Sequence, residues 1–220
     1  MSRYPVELYV RFYDRDAAAF VDGNEVLVRK PGPACPAVFL DRDGVINDDG
    51  DYVNCAEDFE LLPDTAQAIR RLNEAGLPVV VVTNQGGVAL EYRSVEELDA
   101  IHAKMARLLA VESAHVEAIY GALAFPEATI PELRLVSRFR KPGTGMLYQA
   151  SDDLAIDLTQ STIVGDTTTD VAAGKNAGCT AILVRTGLGG RDKRSDALPD
   201  LTVDDLPAAV EWILAQRRTE

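Results

Sequence analysis

Cysteine is scarce in this sequence, which contains three cysteines in 220 residues. The number is odd and Cys35, Cys55 and Cys179 lie far apart, so we expect neither a disulfide framework nor a cysteine-based metal site. Long apolar runs are lacking as well. None approaches the ~18 residues that a transmembrane helix needs, and the first residues contain no apolar core of a secretory signal. These absences predict a protein of a reducing, cytoplasmic compartment.

Positive charge is also in short supply. The chain has 22 Lys and Arg residues against 35 Asp and Glu residues, which gives a formal net charge of −13. Such a chain is not attracted to nucleic acid or to an anionic membrane, so we expect neither as a partner. An anionic substrate would have to be held by a bound divalent cation or by a few well-placed basic side chains.

The N-terminal part differs in pattern from the rest of the chain. Residues 6–13 alternate between apolar and polar, and the Asp-Gly pair at 22–23 favours a turn before a second apolar run at 24–30. We therefore predict that residues 1–33 form an N-terminal β-hairpin extension and that residues 34–220 form the main domain. The hairpin is also a candidate contact in a homodimer.

Short apolar runs and helical patterns alternate in the main domain. The apolar runs that we interpret as strands are 37–41, 77–84, 115–123, 161–166 and 180–185. The helical patterns cover 64–75, a segment capped by Ser94 and Glu97, 143–154, 167–177 and 204–217. This alternation predicts an α/β three-layer sandwich with a mainly parallel, Rossmann-like sheet. The connection after the first strand is too short for a large cap domain.

Polar side chains that suit chemistry follow several of these strands, where an open parallel sheet binds its ligands. Asp41 and Asp43 project the same way from an extended chain and would repel each other unless a cation lies near them. Mg²⁺ prefers oxygen ligands and retains a substrate phosphate. Asp41 could then attack phosphorus while Asp43 acts as general acid and base. The competing interpretation is a solvated Asp-Arg-Asp-Gly turn.

Asp166 follows another strand and either caps the next helix or completes a metal site. Asp170 lies one turn later and is expected to orient Lys141. Beside carboxylates, Lys141 would offset their repulsion and hold a phosphate oxygen, whereas a lone lysine is usually a solvated surface charge. Arg140 could fork onto a second anionic group.

Thr83 and Asn84 could donate to a phosphoryl group, or could simply form a turn before two glycines. The only histidines, His102 and His115, are interpreted as structural or surface residues.

Four segments then occur in order: FLDRDGVIN (39–47), VVTNQGG (81–87), RKPGTGML (140–147) and VGDTTTDVAAGKNAGC (164–179). Together they resemble the four motifs of haloacid dehalogenase (HAD)-like phosphatases. Within that family they are most similar to the branch of D-glycero-D-manno-heptose 1,7-bisphosphate phosphatases and histidinol-phosphate phosphatases. The resemblance covers residues 37–190.

The resemblance implies a role for each matching residue. Asp41 would be the nucleophile, would carry an aspartyl-phosphate intermediate and would bind Mg²⁺. Asp43 would be the acid/base, with its main-chain carbonyl on the metal, and Asp166 would be the third protein ligand. Thr83 and Lys141 would hold the transferring phosphoryl group.

Contacts to the rest of the substrate would come from Asn47, Asn84 and Arg140. A heptose bisphosphate needs a second anion site, which Arg140 together with Arg93 or Arg185 could supply. Histidinol phosphate is cationic and would prefer the acidic residues within 48–51. The sequence leaves both substrates open.

One feature departs from the family. Many members carry a zinc loop of one Cys, one His and two further Cys before the Arg-Lys pair, and here those positions hold Ala122, Ala124, Ser137 and Phe139. We therefore expect no structural zinc. The loop would instead be held by apolar packing of Leu123, Phe125, Leu133, Leu135 and Phe139.

The predicted function is a Mg²⁺-dependent phosphatase of a small phosphorylated metabolite, with D-glycero-D-manno-heptose 1,7-bisphosphate as the first candidate substrate and histidinol phosphate as the alternative. The alternative from another class is a non-enzymatic phospho-acceptor, such as a receiver domain, or a pseudoenzyme that binds a partner. An Asp two residues after the acceptor, with a later Gly-Asp-x-x-x-Asp, favours turnover because the second Asp can activate water.

Overall fold

Strands and helices alternate through most of the chain, as the apolar pattern predicts. The structure is a computed structural model that describes residues 3–17, 19–25, 33–48 and 53–217. Its strands are β1 (Leu8–Asp14), β2 (Ala19–Asp22), β3 (Val38–Leu40), β4 (Val79–Asn84), β5 (Ala118–Ala122), β6 (Thr162–Gly165), β7 (Thr180–Val184) and β8 (Leu201–Val203). Its α-helices are α1 (Thr65–Glu74), α2 (Gly86–Ala89), α3 (Val95–Val111), α4 (Gly145–Leu154), α5 (Thr168–Ala177) and α6 (Leu206–Arg217).

The strands of the described residues form one sheet in the order β2-β1-β5-β4-β3-β6-β7-β8. β3 lies in the interior, parallel to β4 on one side and to β6 on the other. β5 pairs parallel with β4, and β7 and β8 continue the parallel pairing beyond β6. β1 pairs antiparallel with both β5 and β2. The predicted α/β fold with a mainly parallel sheet is confirmed. Within the described parts of the chain, no large cap domain covers the sheet.

The two central strands are apolar on both faces and are covered on both. The residues of β3 and the four valines of β4 are at most 1% exposed. Val38, Leu40 and Val81 pack in one apolar cluster with side chains from α1, α3 and α6. Phe39 and Val82 point to the other face and pack with side chains from α4 and α5. Such strands appear in a sequence as continuous apolar runs, which explains why they were predictable.

The N-terminal hairpin turns earlier than the sequence predicts. The register that pairs β1 with β2 puts the hairpin turn directly after Asp14, so the two strands are not joined by the predicted turn at residues 22–23. A turn does form there, with the N–H of Glu25 donating to the carbonyl of Asp22 at 2.9 Å, but it follows β2. The carboxylate of Asp14 accepts hydrogen bonds from the main-chain N–H groups of Asp16 and Ala17. Aspartate favours a turn through such local bonds. Most of the run predicted as the second strand, residues 26–30, lies outside the described residues.

The hairpin continues the main sheet, because β1 also pairs antiparallel with β5. Its N-terminal end is tied to α4 by Asp153, whose carboxylate accepts hydrogen bonds from Arg3 Nη2 at 2.7 Å and Tyr4 Oη at 2.9 Å. Tyr120 Oη of β5 donates to the same carboxylate at 3.0 Å. The division into residues 1–33 and 34–220 stays a prediction.

Helix starts follow local side-chain chemistry. Ser94 and Glu97 form the predicted capping box of α3. At α5 the box is formed by Thr167 and Asp170, so the prediction that Asp166 caps this helix was wrong. β8 and α2 were not predicted, because they are three and four residues long and too short to show a period. Among the described residues, no helix has both the length and the apolar character to cross a membrane.

Candidate active site

Three neighbouring strands deliver polar residues to one edge of the sheet. Asp41 follows β3, Thr83 and Asn84 end β4, and Asp166 follows β6. Because these strands are adjacent and parallel, their carboxyl ends bring the side chains together, as the sequence predicts. The main-chain N–H of Asp41 donates to the carbonyl of Val164 at 3.0 Å. The ladder between β3 and β6 therefore extends to the first carboxylate.

Lys141 is a buried cation at this edge and is 4% exposed. Its Nζ lies 3.0 Å from Asp41 Oδ2 and 2.6 Å from Asp170 Oδ1, and it donates to the carbonyl of Val82 at 2.8 Å. Burial lowers the pKa of a lysine, but the attraction of Asp170 and Asp41 outweighs burial and raises the pKa of Lys141. Two carboxylate oxygens and one carbonyl oxygen thus lie within 3.0 Å of the ammonium, so Lys141 stays charged.

Asp41, Asp166 and Asp170 form a buried cluster of carboxylates. One oxygen from each lies within 4.8 Å of the others. Burial, together with repulsion from neighbouring carboxylates, raises the pKa of Asp41 to about 7 and the pKa of Asp166 to about 8. Oxygen ligands concentrated in this way suit a hard divalent cation, which would also relieve their repulsion.

The Asp166 carboxylate is confined by main chain on several sides. The N–H of Leu188 donates to its Oδ2 at 2.7 Å, and the N–H of Gly190 donates to its carbonyl at 2.7 Å. Gly44 has φ +78° and Gly187 has φ +57°, and a Cβ on either would collide with Asp166 Oδ2. Both the backbone conformation and the close approach require glycine. The loops after β3 and β7 therefore aim Asp166 at the cluster.

Asp43 faces a different set of partners. Arg42 forks onto its carboxylate, with Nη2 at 2.7 and 2.9 Å from the two oxygens and Nε at 3.0 Å. Asn47 Nδ2 donates at 3.1 Å and Gln85 Nε2 donates at 3.0 Å. Burial raises the pKa of a carboxyl group, but Arg42 and these hydrogen bonds outweigh burial, so the pKa of Asp43 is lowered.

The carboxylates of Asp41 and Asp43 therefore face two different basic side chains, which differs from the expectation that they project the same way from an extended chain. β3 ends at Leu40, and the carbonyl of Arg42 accepts hydrogen bonds from the N–H groups of Ile46 at 2.8 Å and Asn47 at 3.2 Å. The chain turns within this loop, so the alternation of side chains along a strand no longer applies. One carboxylate faces Lys141 and the other faces Arg42.

Thr83 and Asn84 make hydrogen bonds to two other residues of the site, Gln85 and Lys141. Thr83 is 1% exposed, and its Oγ1 accepts a hydrogen bond from Gln85 Nε2 at 2.9 Å. Asn84 binds the main chain of Lys141: the N–H of Lys141 donates to Oδ1 at 2.9 Å, and Nδ2 donates to the carbonyl at 3.2 Å. Asn84 thus fixes the backbone of Lys141. A contact between Asn84 or the fully buried Asn47 and a substrate stays a prediction.

Comparison with known proteins shows the family to which this chain belongs. A family model described as HAD-hydrolase-like matches residues 138–209. The D-glycero-D-manno-heptose-1,7-bisphosphate 7-phosphatase of Thermosynechococcus vestitus is 43% identical over 189 residues, which cover 81% of this chain and 95% of that protein. The D-glycero-beta-D-manno-heptose-1,7-bisphosphate 7-phosphatase of Escherichia coli K12 is 40% identical over 154 residues, or 69% and 80% of the two chains. The chain belongs to the HAD-like phosphatases.

Solved structures share the fold of this HAD-like phosphatase. The D,D-heptose 1,7-bisphosphate phosphatase from B. bronchiseptica, complexed with magnesium and phosphate, has a TM-score of 0.73 and 35% identity and covers 82% of this chain and 99% of its own. A HAD-like protein from Mesorhizobium loti has a TM-score of 0.75 and 32% identity and covers 96% of both chains.

Arg140 of this HAD-like phosphatase is half-buried beside the site. Its guanidinium stacks over the ring of Phe125, with Cζ 4.8 Å from the ring centroid. Burial, and then the charge of Arg194, lower the pKa of Arg140. Within the described residues its buried Nη1 has no hydrogen-bond acceptor. A guanidinium N–H in this state gains strongly from an anionic oxygen.

The loop of residues 123–140 combines apolar packing with an unpredicted arginine. Four of the five apolar residues expected to hold it pack in the apolar clusters, namely Leu123, Phe125, Leu133 and Phe139. Leu135 is half-buried and does not join them. Arg134 instead crosses the loop, with Nε donating to the carbonyl of Ala128 at 2.6 Å and Nη2 to that of Thr129 at 3.3 Å. The absence of zinc stays a prediction.

The roles of Arg42, Gln85 and His102 in the phosphatase site were not predicted from the sequence. All three are at most 1% exposed, and they hold Asp43 directly or through Arg42. The available sequence signal for Arg42 was its position between two candidate catalytic aspartates. His102 was interpreted as structural or surface, yet its Nε2 lies 3.2 Å from Arg42 Nη1. No sequence period links these two residues, because their contact depends on how α3 packs.

Proposed function

We propose that this phosphatase removes one phosphate from a small sugar bisphosphate, D-glycero-D-manno-heptose 1,7-bisphosphate, through an aspartyl-phosphate on Asp41. The observation that carries the proposal is the contact of buried Lys141 with both Asp41 and Asp170 beside the carboxylate cluster. Lys141 can hold a phosphoryl oxygen directly beside the nucleophile. The sugar is supported by the names of relatives at 43% and 40% identity.

We infer that Mg²⁺ binds to Asp41, Asp166 and the main-chain carbonyl of Asp43. The inference is supported by the pKa values of about 7 and about 8 of Asp41 and Asp166, because such carboxyl groups ionise more readily beside a cation. Asp170 also lies in the cluster, but its Oδ1 is engaged by Lys141 at 2.6 Å, which suits a positioning role. When bound, Mg²⁺ neutralises charge that develops on the phosphoryl oxygens.

The side chains divide the reaction into two displacements. Asp41 attacks phosphorus and the bond from phosphorus to the sugar oxygen breaks, while Asp43 in its protonated form gives its proton to that oxygen and becomes the carboxylate. Water then attacks the phosphorus of the aspartyl-phosphate, Asp43 takes a proton from the water, and the bond to Asp41 breaks to release phosphate. Lys141 and Thr83 donate hydrogen bonds to the phosphoryl group in both steps.

A bisphosphate is favoured over histidinol phosphate by the state of the candidate arginines. Arg185 pairs with Asp204 at 2.8 Å. Arg93 donates to the carbonyl of Val53 through Nη1, but its buried Nε has no acceptor in the described residues. Arg140 retains a buried N–H without an acceptor in the described residues and can take the phosphate that is not transferred. Of the acidic residues proposed for histidinol phosphate, those at 49–51 lie outside the described residues.

The test is phosphate release from a panel of phosphate esters, with Mg²⁺ and with EDTA, by the wild type and by Asp41→Asn. The panel contains both anomers of heptose 1,7-bisphosphate, fructose 1,6-bisphosphate, histidinol phosphate and an aryl phosphate. Asp204→Asn is the matched control because Asp204 is exposed and does not belong to the cluster.

We expect Mg²⁺-dependent release that is fastest with a heptose bisphosphate, lost in Asp41→Asn and retained in Asp204→Asn. Fastest release from histidinol phosphate would replace the substrate but keep the chemistry. A phosphoenzyme that persists for minutes without release would contradict the phosphatase proposal and favour a phospho-acceptor.

We also propose that the protein acts in the cytoplasm and that its hairpin contacts a second copy. Support for the dimer is that β2 is the last strand of the sheet order in the described residues, and a terminal strand offers unpaired main-chain groups. Sedimentation equilibrium of the full chain tests this, and a monomer at micromolar concentration would refute the dimer.

A further inference from the structure

A chain of buried polar side chains connects the N-terminal strand β1 to Asp43. Arg42, which holds Asp43, is fully buried. Its Nη1 lies 3.2 Å from Nε2 of His102 in α3, and Nδ1 of His102 lies 2.9 Å from Tyr9 Oη in β1. Tyr9 Oη lies 2.6 Å from Asp99 Oδ1 in α3.

The direction of each hydrogen bond in this series of side chains follows from Arg42, which can only donate. Arginine has no acceptor atom, so Nε2 of His102 must accept from Arg42. The ring proton of the neutral imidazole is then on Nδ1 and is donated to Tyr9 Oη, whose own O–H is donated to Asp99. Burial, followed by the charges of Arg42 and Arg11, lowers the pKa of His102 well below its ordinary value, which keeps the ring neutral. One tautomer therefore satisfies every group.

The far end of the chain is fixed by a salt bridge within the same two elements. Arg11 of β1 donates to both oxygens of Asp99, with Nε at 2.8 Å and Nη2 at 2.9 Å. Its Nη1 also lies 2.9 Å from Asp22 Oδ2 in β2. The hairpin thus supplies both the hydroxyl that orients His102 and the cation that orients Asp99.

Loss of the acceptor on His102 would act on Asp43 through Arg42. A buried donor without an acceptor is costly, so Arg42 would turn or take up water. The fork from Arg42 supplies three contacts to the Asp43 carboxylate at 2.7 to 3.0 Å, the two shortest among them. Asp43 is also joined to Thr83 through Gln85, so a looser fork would misalign the carboxylate relative to the phosphoryl site.

We propose that Tyr9 and His102 are positioning residues for Asp43, so that the N-terminal hairpin is part of the catalytic apparatus. The inference rests on the proposed function, because it takes Asp43 as the acid/base. Neither residue needs to touch the substrate. Tyr9 sets the tautomer of His102, His102 satisfies Arg42, and Arg42 holds Asp43 where a proton can be transferred.

The test compares two leaving groups in four variants of the full-length protein. A sugar oxygen needs a proton as it leaves, whereas an aryl oxygen does not, so kcat/KM for the sugar bisphosphate reports on Asp43 and kcat/KM for an aryl phosphate does not. The variants are Tyr9→Phe, His102→Leu, His102→Gln and Tyr4→Phe. Tyr4→Phe is the matched control, since it also removes a buried N-terminal hydroxyl, one that donates to Asp153 instead.

We expect Tyr9→Phe and His102→Leu to lower kcat/KM for the sugar bisphosphate at least about 10-fold and for the aryl phosphate less than about 2-fold. His102→Gln keeps an acceptor for Arg42 and should recover most of the loss. Tyr4→Phe should leave both values unchanged.

Equal losses on both substrates in Tyr9→Phe, with a lowered Tm, would show a purely structural role and overturn the proposal, as would no loss at all. Failure of the glutamine variant to recover activity, or selective loss in Tyr4→Phe, would also overturn it. A wild type inactive on both esters would instead refute the proposed function, so the two failures are distinguishable.

Discussion

Each buried basic side chain of the site lies against one or two carboxylates. Lys141 lies between Asp41 and Asp170, and Arg42 lies against Asp43. A buried charge that loses its partner destabilises a protein far more than a surface charge does. Substitution at these positions should therefore affect folding and chemistry together, which requires matched controls.

Lys141→Met removes the ammonium and leaves two buried carboxylates facing each other. We expect the free energy of unfolding to fall by about 3–5 kcal/mol and kcat to fall at least ~100-fold. The control is Lys175→Met, because Lys175 pairs with Asp200 at 2.6 Å while the side chains are 42% and 38% exposed. Its stability should change by less than about 1 kcal/mol. Urea denaturation and initial rates measure both, and equal destabilisation would contradict the assignment of Lys141 as a buried pair.

His102 gives the protein a calculable sensitivity to acid. Burial, and then the charges of Arg42, Arg11 and Arg93, lower the pKa of His102, while Tyr9 binds its other nitrogen. Below pH ~6.5 the unfolded chain binds a proton on His102 and the folded protein does not. The unfolded state then holds more protons, so this residue makes stability fall as pH drops, by up to about 1.4 kcal/mol per pH unit.

The measurement is urea denaturation of wild type and His102→Gln between about pH 7 and about pH 5. The glutamine variant cannot titrate, so its stability should fall less steeply with acid than that of the wild type. Parallel curves for the two proteins would mean that folding does not exclude the proton from His102.

At the scale of elements, the predictable parts were those with a local cause. The runs 77–84 and 161–166 became β4 and β6 because they are apolar on both faces, and the capping box at Ser94 fixed the start of α3. The hairpin turn was misplaced because the carboxylate of Asp14 favours an earlier turn, while the Asp-Gly turn at 22–23 forms only after β2. Loop 123–140 was predictable only in its apolar packing.

Arg134→Ala tests how that loop is held. The substitution removes both side-chain bonds to the carbonyls of Ala128 and Thr129, so amide hydrogen exchange in residues 126–134 should become about 10-fold faster. Arg107→Ala, on the exposed face of α3, is the control and should change nothing there. A zinc chelator should leave exchange unaltered in the wild type; a chelator effect would show that a metal holds the loop.

For the whole molecule, the sequence predicted which residues meet but not how they pair. Parallel strands bring their carboxyl ends together, so Asp41, Thr83 and Asp166 could be placed at one edge from strand order alone. The partners of Asp43 could not, because Gln85 reaches it through the conformation of the segment after β4, and His102 reaches it through Arg42 only once α3 has packed. Contacts between distant elements have no signature in a single sequence.

Divalent cations should stabilise the whole molecule through the carboxylate cluster. A ligand that binds only the folded state adds about 2.7 kcal/mol to the free energy of unfolding at 100 times its Kd. The chain carries a net charge of −13, so salt alone could stabilise it by screening. NaCl at matched ionic strength separates the two effects, and the gain specific to Mg²⁺ is the quantity to compare between variants.

Asp166→Asn should lose most of that gain, because it removes a carboxylate that the cation needs. Without Mg²⁺ it should be at least as stable as the wild type, since the pKa of about 8 shows that ionised Asp166 is unfavourable in the cation-free fold. Asp204→Asn, at an exposed pair with Arg185, should keep the full gain. If Mg²⁺ stabilised Asp166→Asn as much as the wild type, the cation would bind outside the cluster, and the proposed metal site would be wrong.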